Sequence, residues 1–301
     1  MPNSQSVFRS CSEFLRCDRT SRPPLVAAFS LLLALGAPVS AQTAPSLQEA
    51  AQPLRAACLA LAGTRLGFEA TVSATALVES EATTERPSAA FCRAQVQALD
   101  SALQFSLLLP VDHWNGRVLA LGGGGFKGVI ADPLRPILGQ HPDLMHRLGG
   151  FVVVTSNGGH EAGDNVNAAF ALDGVKLTEF THLAEHRTAV LAKQLVARFY
   201  GIAPLHSYFV GCSSGGHDAL MEAMRYPLDY DGIVAGAPAG NFVGLFLAFN
   251  RISTQLRKPG AVLSAGKQTL LSQAVLAACD AADGATDGII AKGEACRFDP
   301  R

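Results

Sequence analysis

Apolar and polar positions alternate over residues 102–109, where Leu103, Phe105, Leu107 and Leu109 interleave with Ala102, Gln104, Ser106 and Leu108. That period of two predicts a strand, ended by Pro110 because proline cannot donate to a ladder. Trp114-Asn115-Gly116 predicts a turn, Arg117–Leu121 a second strand, and Phe151–Thr155 a third, buried one. Over residues 181–200 the period lengthens, with Leu191, Leu195 and Phe199 stepping by four. A long helix closed by Gly201 is expected there. Tyr208-Phe209-Val210 predicts a short strand, and Ala219, Leu220, Ala223 and Met224 a helix that Tyr226-Pro227 ends. Gly232–Ala235 then reads as a further strand after a crossover helix, the signature of a parallel α/β sheet. Beyond Gly240-Asn241 the repeat stops, because Val243–Phe249 is apolar without alternation. Near the start, Cys58 lies in an Ala/Leu-rich segment of short-helix character, and Cys92 opens another strand-like stretch.

The chain has 301 residues, 49% of them hydrophobic and 16% charged, enough for a full core and a second domain. A net charge of −1 without a basic block argues against a nucleic-acid partner. Residues 1–41 read as a signal peptide. Arg9, Arg16, Arg19 and Arg22 precede the apolar run Leu25–Leu35, and Val39-Ser40-Ala41 resembles a cleavage site. That run is too short for an ordinary span, so no stable membrane span is expected after cleavage, and a secreted or periplasmic location is. Cleavage would remove Cys11 and Cys17 and leave Cys58, Cys92, Cys212, Cys279 and Cys296, an odd count in an oxidising compartment.

The residues that carry chemistry cluster after Tyr208. Gly211-Cys212-Ser213-Ser214-Gly215 fits G-x-S-x-G, and it sits between a predicted strand and a predicted helix. That context makes it a nucleophile elbow, with Ser213 at the apex and the glycines allowing strand and helix to approach. The Ser214 amide, at the helix start, would point at a developing oxyanion. A thiol nucleophile at Cys212 is the rival reading, but the elbow places Ser213 at the turn. Gly122–Gly125 is neither a dinucleotide nor a Walker pattern. Before an elbow, such a loop supplies the other oxyanion amide. After Ser213 the chain has one histidine, His217, on the elbow's own helix and unsuited to act as the base. His182 and His186 stand one turn apart without a third ligand nearby, so a solvated helix face is expected. His160 follows Ser156-Asn157-Gly158-Gly159, and a lone loop histidine of that kind is expected to be solvated or hydrogen-bonded.

Near the end, Asp280, Asp283 and Asp287 are spaced by three and four with glycines between, a pattern that can fold around a hard cation such as calcium. An EF-hand register starting at Asp283 would put Ala285 at a ligand position, which counts against it. Cys279 and Cys296 flank the loop, and a bridge between them would stabilise it by about 3 kcal/mol.

Ser207–Gly216, Leu220–Ala223, Arg225-Tyr226-Pro227 and Tyr230–Pro238 together resemble the tannase/feruloyl esterase family, which includes mono(2-hydroxyethyl) terephthalate hydrolases. The resemblance runs from about Cys58 to the end of the chain. It implies an α/β-hydrolase core over residues 42–242 and the start of an inserted lid over 243–301. It also implies Ser213 as nucleophile, Gly125 as the second oxyanion donor, and a Cys58–Cys92 bridge. For the acidic loop it implies structural calcium held by Asp280, Asp283 and Asp287 side chains and the Ala285 and Ile289 carbonyls. In the family a cysteine like Cys212, just before the nucleophile, bonds one directly after the catalytic histidine. No His-Cys pair follows here, so the chain reads as the N-terminal part of a longer enzyme, truncated before its catalytic Asp and His. The expected function is an exported serine esterase acting on esters of aromatic acids such as gallate, ferulate or terephthalate. The alternative is a non-catalytic, calcium-stabilised secreted binding protein on the same scaffold.

Overall fold

The computed structural model describes residues 47–301 apart from Phe68, 81–88, 135–149 and Arg301, so the expected leader lies outside the described residues. The chain divides into two compact units, Met1–Gly240 and Asn241–Arg301.

In the first unit, helix α1 (Leu47–Ala60) precedes strands β1 (Arg65–Leu66), β2 (Ala70–Glu79), β3 (Ala90–Ala98), β4 (Gln104–Pro110), β5 (Arg117–Leu121) and β6 (Val152–Ser156). Helices α2 (Gly174–Thr178) and α3 (Ala184–Tyr200), strand β7 (His206–Cys212), helix α4 (Ser214–Arg225) and strand β8 (Gly232–Gly236) follow. All eight strands form one sheet in the order β1-β2-β3-β4-β6-β5-β7-β8. The β1–β4 meander and its junction with β6 are antiparallel, whereas β6, β5, β7 and β8 run parallel. The parallel strands carry the helices between them, as crossovers require.

Side-chain alternation sorts the central strands onto two faces. Val118, Ala120, Val152, Val154 and Phe209 join the main core with Ala184, Leu191 and Leu195 of α3 and Ala219 of α4. Leu119, Leu121 and Val153 form a smaller cluster on the other face, with Phe151, Tyr208 and Val210 against it. The main core reaches the N-terminal meander through Cys58 of α1, which is disulfide-bonded to Cys92 of β3.

β4 forms where the alternation predicts it, and Phe105 through Pro110 are all buried. The long helix is interrupted at its start, where Glu179–Leu183 winds as a π-turn before α3 begins at Ala184. Gly201 does end it, at φ 75°. Strand β2 had no clear counterpart in the pattern, and a bulge between Val72 and Ala74 explains why.

The second unit holds helices α5 (Phe242–Leu256) and α6 (Ala265–Cys279), then two 3-10 turns, Asp280–Asp283 and Gly293–Ala295. Asn241 caps α5 by accepting from the Gly244 amide, and Ser264 caps α6 by accepting from Lys267. Cys279 and Cys296 are disulfide-bonded across the acidic loop. Among the described residues no helix is long and apolar enough to cross a membrane.

Candidate functional site

The turn from β7 into α4 puts Ser213 in a conformation that side-chain-bearing residues seldom adopt, φ 63° and ψ −118°. Such a backbone costs on the order of 1–3 kcal/mol and persists only where its surroundings dictate it. Here they do. The Ser213 amide donates to the Gly236 carbonyl at 3.0 Å, and its carbonyl accepts from His217 at 3.1 Å and Ala239 at 3.1 Å. The first turn of α4, the end of β8 and the loop after it thus all grip one residue. Glycine supplies the room. A Cβ at Gly216 would lie 2.4 Å from the Gly236 oxygen, and one at Gly215 would lie 2.6 Å from the Gly123 oxygen.

The Gly122–Gly125 loop lies directly on this elbow. The Gly122 amide donates to Val210 at 2.9 Å, and a Cβ at Gly122 would stand 2.9 Å from the Gly215 Cα. Ser214 Oγ donates to the Gly123 carbonyl at 3.4 Å. Gly125 itself has φ 60°, and the neighbouring Phe126 amide donates to Asn165 at 2.7 Å. Ser213, Ser214 and the glycine loop are therefore brought together, and the Ser214 amide opens α4 as the pattern required. Cys212 is the last residue of β7, half-buried, and takes part in neither disulfide.

The four histidines singled out in the sequence are engaged by other groups. His217 lies on α4 with Nε2 3.3 Å from the Thr181 carbonyl. His186, expected on a solvated face, instead stacks on Tyr226 at 3.9 Å and has Nδ1 2.5 Å from Asp229 Oδ2. His182 Nδ1 sits 3.0 Å from Thr181 Oγ1, so the two do not form a metal pair. His160 is fully buried, stacked on Phe170 at 3.8 Å, so it lies beneath the surface rather than along it. Burial holds its imidazole below the usual pKa, hence neutral.

Beneath the loop lies a cluster that the linear sequence conceals. Lys127 Nζ is 2.8 Å from Asp218 of α4 and 3.1 Å from Glu185 of α3, with all three side chains buried. Burial alone would lower the Lys127 pKa, but the two carboxylates override it and raise it to about 12. Burial pushes Asp218 up. The only sequence signal was a lysine two residues after a glycine-rich loop. Its partners come from other segments.

In the second unit the acidic loop is ordered by its own amides. Asp280 accepts from Gly288 at 3.1 Å, Asp283 from Ala285 at 3.0 Å and Ala291 at 2.8 Å, and Asp287 from Ile289 at 3.0 Å. The hydrogen bonds from Ala285 and Ala291 hold the Asp283 carboxyl below its ordinary pKa. The donor set of three carboxylates suits a hard cation, since a carboxylate offers about four lone-pair directions. Among the described residues, however, no three acidic, histidine or cysteine side chains converge on one point.

The family described as "Tannase and feruloyl esterase" matches residues 90–301. The chain belongs to that family. It is 35% identical over 272 residues to the mono(2-hydroxyethyl) terephthalate hydrolase of Piscinibacter sakaiensis, covering 82% of this chain and 44% of the relative. It is 34% identical over 187 residues to feruloyl esterase B of Aspergillus niger, covering 61% of this chain and 34% of that enzyme. The chain thus spans less than half the length of these curated relatives. The crystal structure of feruloyl esterase B from Aspergillus oryzae superposes with a TM-score of 0.67 at 28% identity, over 81% of this chain and 49% of that one. Tannin acyl hydrolase from Aspergillus niger shares the fold, with a TM-score of 0.58 at 22% identity. The first unit is accordingly an α/β-hydrolase core.

Proposed function

We propose that this family member belongs to a serine carboxylic-ester hydrolase, exported from the cell, that cleaves esters of aromatic acids through an acyl-enzyme. The observation that carries the proposal is the backbone of Ser213, strained and gripped from three sides at the mouth of a parallel sheet. A scaffold that only bound an ester would not need that strain.

Ser213 Oγ attacks the ester carbonyl while a base takes its proton and passes it to the departing alcohol. Water then adds to the acyl-enzyme, returns a proton to Ser213 and releases the acid. The amides of Ser214 and Gly125 would hold the tetrahedral oxyanion, each worth about 3 kcal/mol to the transition state. None of His160, His182, His186 and His217 is proposed as the base, because each is engaged by another group. Two disulfides support export. Residues 243–301 would serve as lid, and Asp280, Asp283 and Asp287, with the Ala285 and Ile289 carbonyls, would hold a structural calcium ion.

The test compares Ser213→Ala with wild type in the complete reading frame, on methyl ferulate and methyl gallate, beside labelling by a serine-directed phosphonate. Loss of turnover together with loss of label at Ser213 is expected. Label on Cys212 or Ser214 with Ser213 untouched would overturn the assignment.

A further inference from the structure

We propose that Lys127 is a positioning residue for this reaction. Its ammonium group, held between Asp218 of α4 and Glu185 of α3, clamps the Gly122–Gly125 loop onto the nucleophile helix so that the Gly125 and Ser214 amides meet one oxyanion. The inference rests on the esterase reading above and concerns how its oxyanion hole is held.

The geometry reads as a built seat for this side chain. Lys127 lies two residues past Gly125 with φ 59°, a left-handed conformation rare for a residue with a side chain. Its stem runs between two bare backbones: a Cβ at Gly158 would stand 2.3 Å from the Lys127 Cδ, and one at Gly123 would stand 3.1 Å from its Cγ. Its amide donates to the Gly124 carbonyl at 3.0 Å, closing the loop on itself. At the end of the stem, Nζ passes 5.4 Å from the Phe180 ring centre and reaches both carboxylates. Glu185 also accepts from Ser156 Oγ at 2.8 Å, and that oxygen accepts from the Gly158 amide at 3.2 Å. One cation therefore joins the glycine loop, the end of β6, α3 and α4. Asp218 stands on the helix that begins beside Ser213, so the tie reaches the nucleophile through a single rigid element.

Two other roles for Lys127 fit less well. As a general base it would need to be neutral, and two carboxylates at ion-pair distance keep it charged. As a stabiliser it is a poor choice, because buried ion pairs often contribute no more than apolar groups of the same shape. What such a cluster supplies is a fixed direction and distance. Oxyanion donors have that requirement, since they act only when placed to within a fraction of an ångström.

A positioning role predicts a defect in the transition state and not in ground-state binding. Two variants are made in the complete reading frame: Asp218→Asn, which leaves the Lys127–Glu185 pair in place, and Lys127→Met combined with Asp218→Asn and Glu185→Gln, which removes all three charges together and so avoids stranding one. Methyl ferulate hydrolysis is expected to show kcat lowered by roughly 10- to 100-fold, with KM within about threefold of wild type and cooperative thermal unfolding retained. A folded variant with wild-type kcat, or one whose defect lies in KM alone, overturns the proposal. If the wild type does not hydrolyse the ester and Ser213→Ala behaves identically, the esterase reading falls and this inference with it. An active wild type separates the two failures.

Discussion

A Cβ on Gly211 would lie 2.1 Å from the carbonyl oxygen of Gly215, so β7 and α4 meet backbone against backbone where the chain turns through Ser213. No flexible side chain can give way there. Gly211→Ala should displace either the strand end or the helix start, and with it the serine. We expect a fall in melting temperature of at least about 5 °C, since overpacking of this kind costs on the order of 1–3 kcal/mol or more. Phosphonate labelling of Ser213 should be lost as well. Gly163→Ala is the control, because nothing lies within 4 Å of a Cβ there. Equal behaviour of the two variants would refute the packing argument.

The acidic loop gives a metal-dependent prediction. Its aspartates are already turned toward the chain, so calcium would draw on oxygen lone pairs left over after the amide bonds. Chelation should lower the melting temperature, and calcium should restore it better than magnesium, whose strict octahedron suits a carbonyl-rich loop poorly. Asp283→Ala with Asp287→Ala should abolish that response while leaving ester turnover largely intact at low temperature. Desalted protein without bound calcium, and with a melting curve indifferent to chelator, would refute it.

Glu222 of α4 makes stability depend on pH. The residue is fully buried, and neither carboxyl oxygen has a hydrogen-bond partner among the described residues. Burial first, then the nearby Glu185 and Asp229 charges, push its pKa up to about 9. The folded protein therefore keeps this proton over a range in which the unfolded chain, at the ordinary value near 4.5, has released it. Its favourable contribution is complete below that ordinary value and is lost as pH rises toward 9. The slope approaches ~1.4 kcal/mol per pH unit for one proton. Glu222→Gln should flatten the decline in melting temperature between pH 5 and about 9 and raise stability at the alkaline end. Parallel profiles for variant and wild type would remove Glu222 as the cause.

Much of the core and the elbow could be read before the fold was seen, for a physical reason. Tyr208–Val210, the paired glycines around Ser213 and the apolar steps of α4 are local signals, each interpretable within about fifteen residues. Other features depend on partners far away in the chain. Strand β2 exposes most of its small residues and bulges at Val72/Ala74, so its period is broken and only its pairing with β3 defines it. Helix α6 is apolar on no particular side, which hides it from any search for a buried face. The burial of His160 follows from Phe170 and Phe180, and the role of Lys127 from Glu185 and Asp218. None of these is visible from the histidine or the lysine alone.

The ion cluster under the glycine loop also bears on inheritance and recombination. Lys127 and Asp218 lie on opposite sides of a long stretch of chain, with Glu185 between them, and the three are buried as one cluster. A chimera joined to a relative anywhere between them would separate the pair unless the relative carried the same charges. Between residues 127 and 185 such a join would bury the lysine without its carboxylates, or the carboxylates without it, a defect that costs on the order of 3–5 kcal/mol. Crossovers placed before residue 122 or after residue 225 keep the two together. The loop and the nucleophile helix therefore form one hereditary unit, although neither is contiguous with the other in the gene.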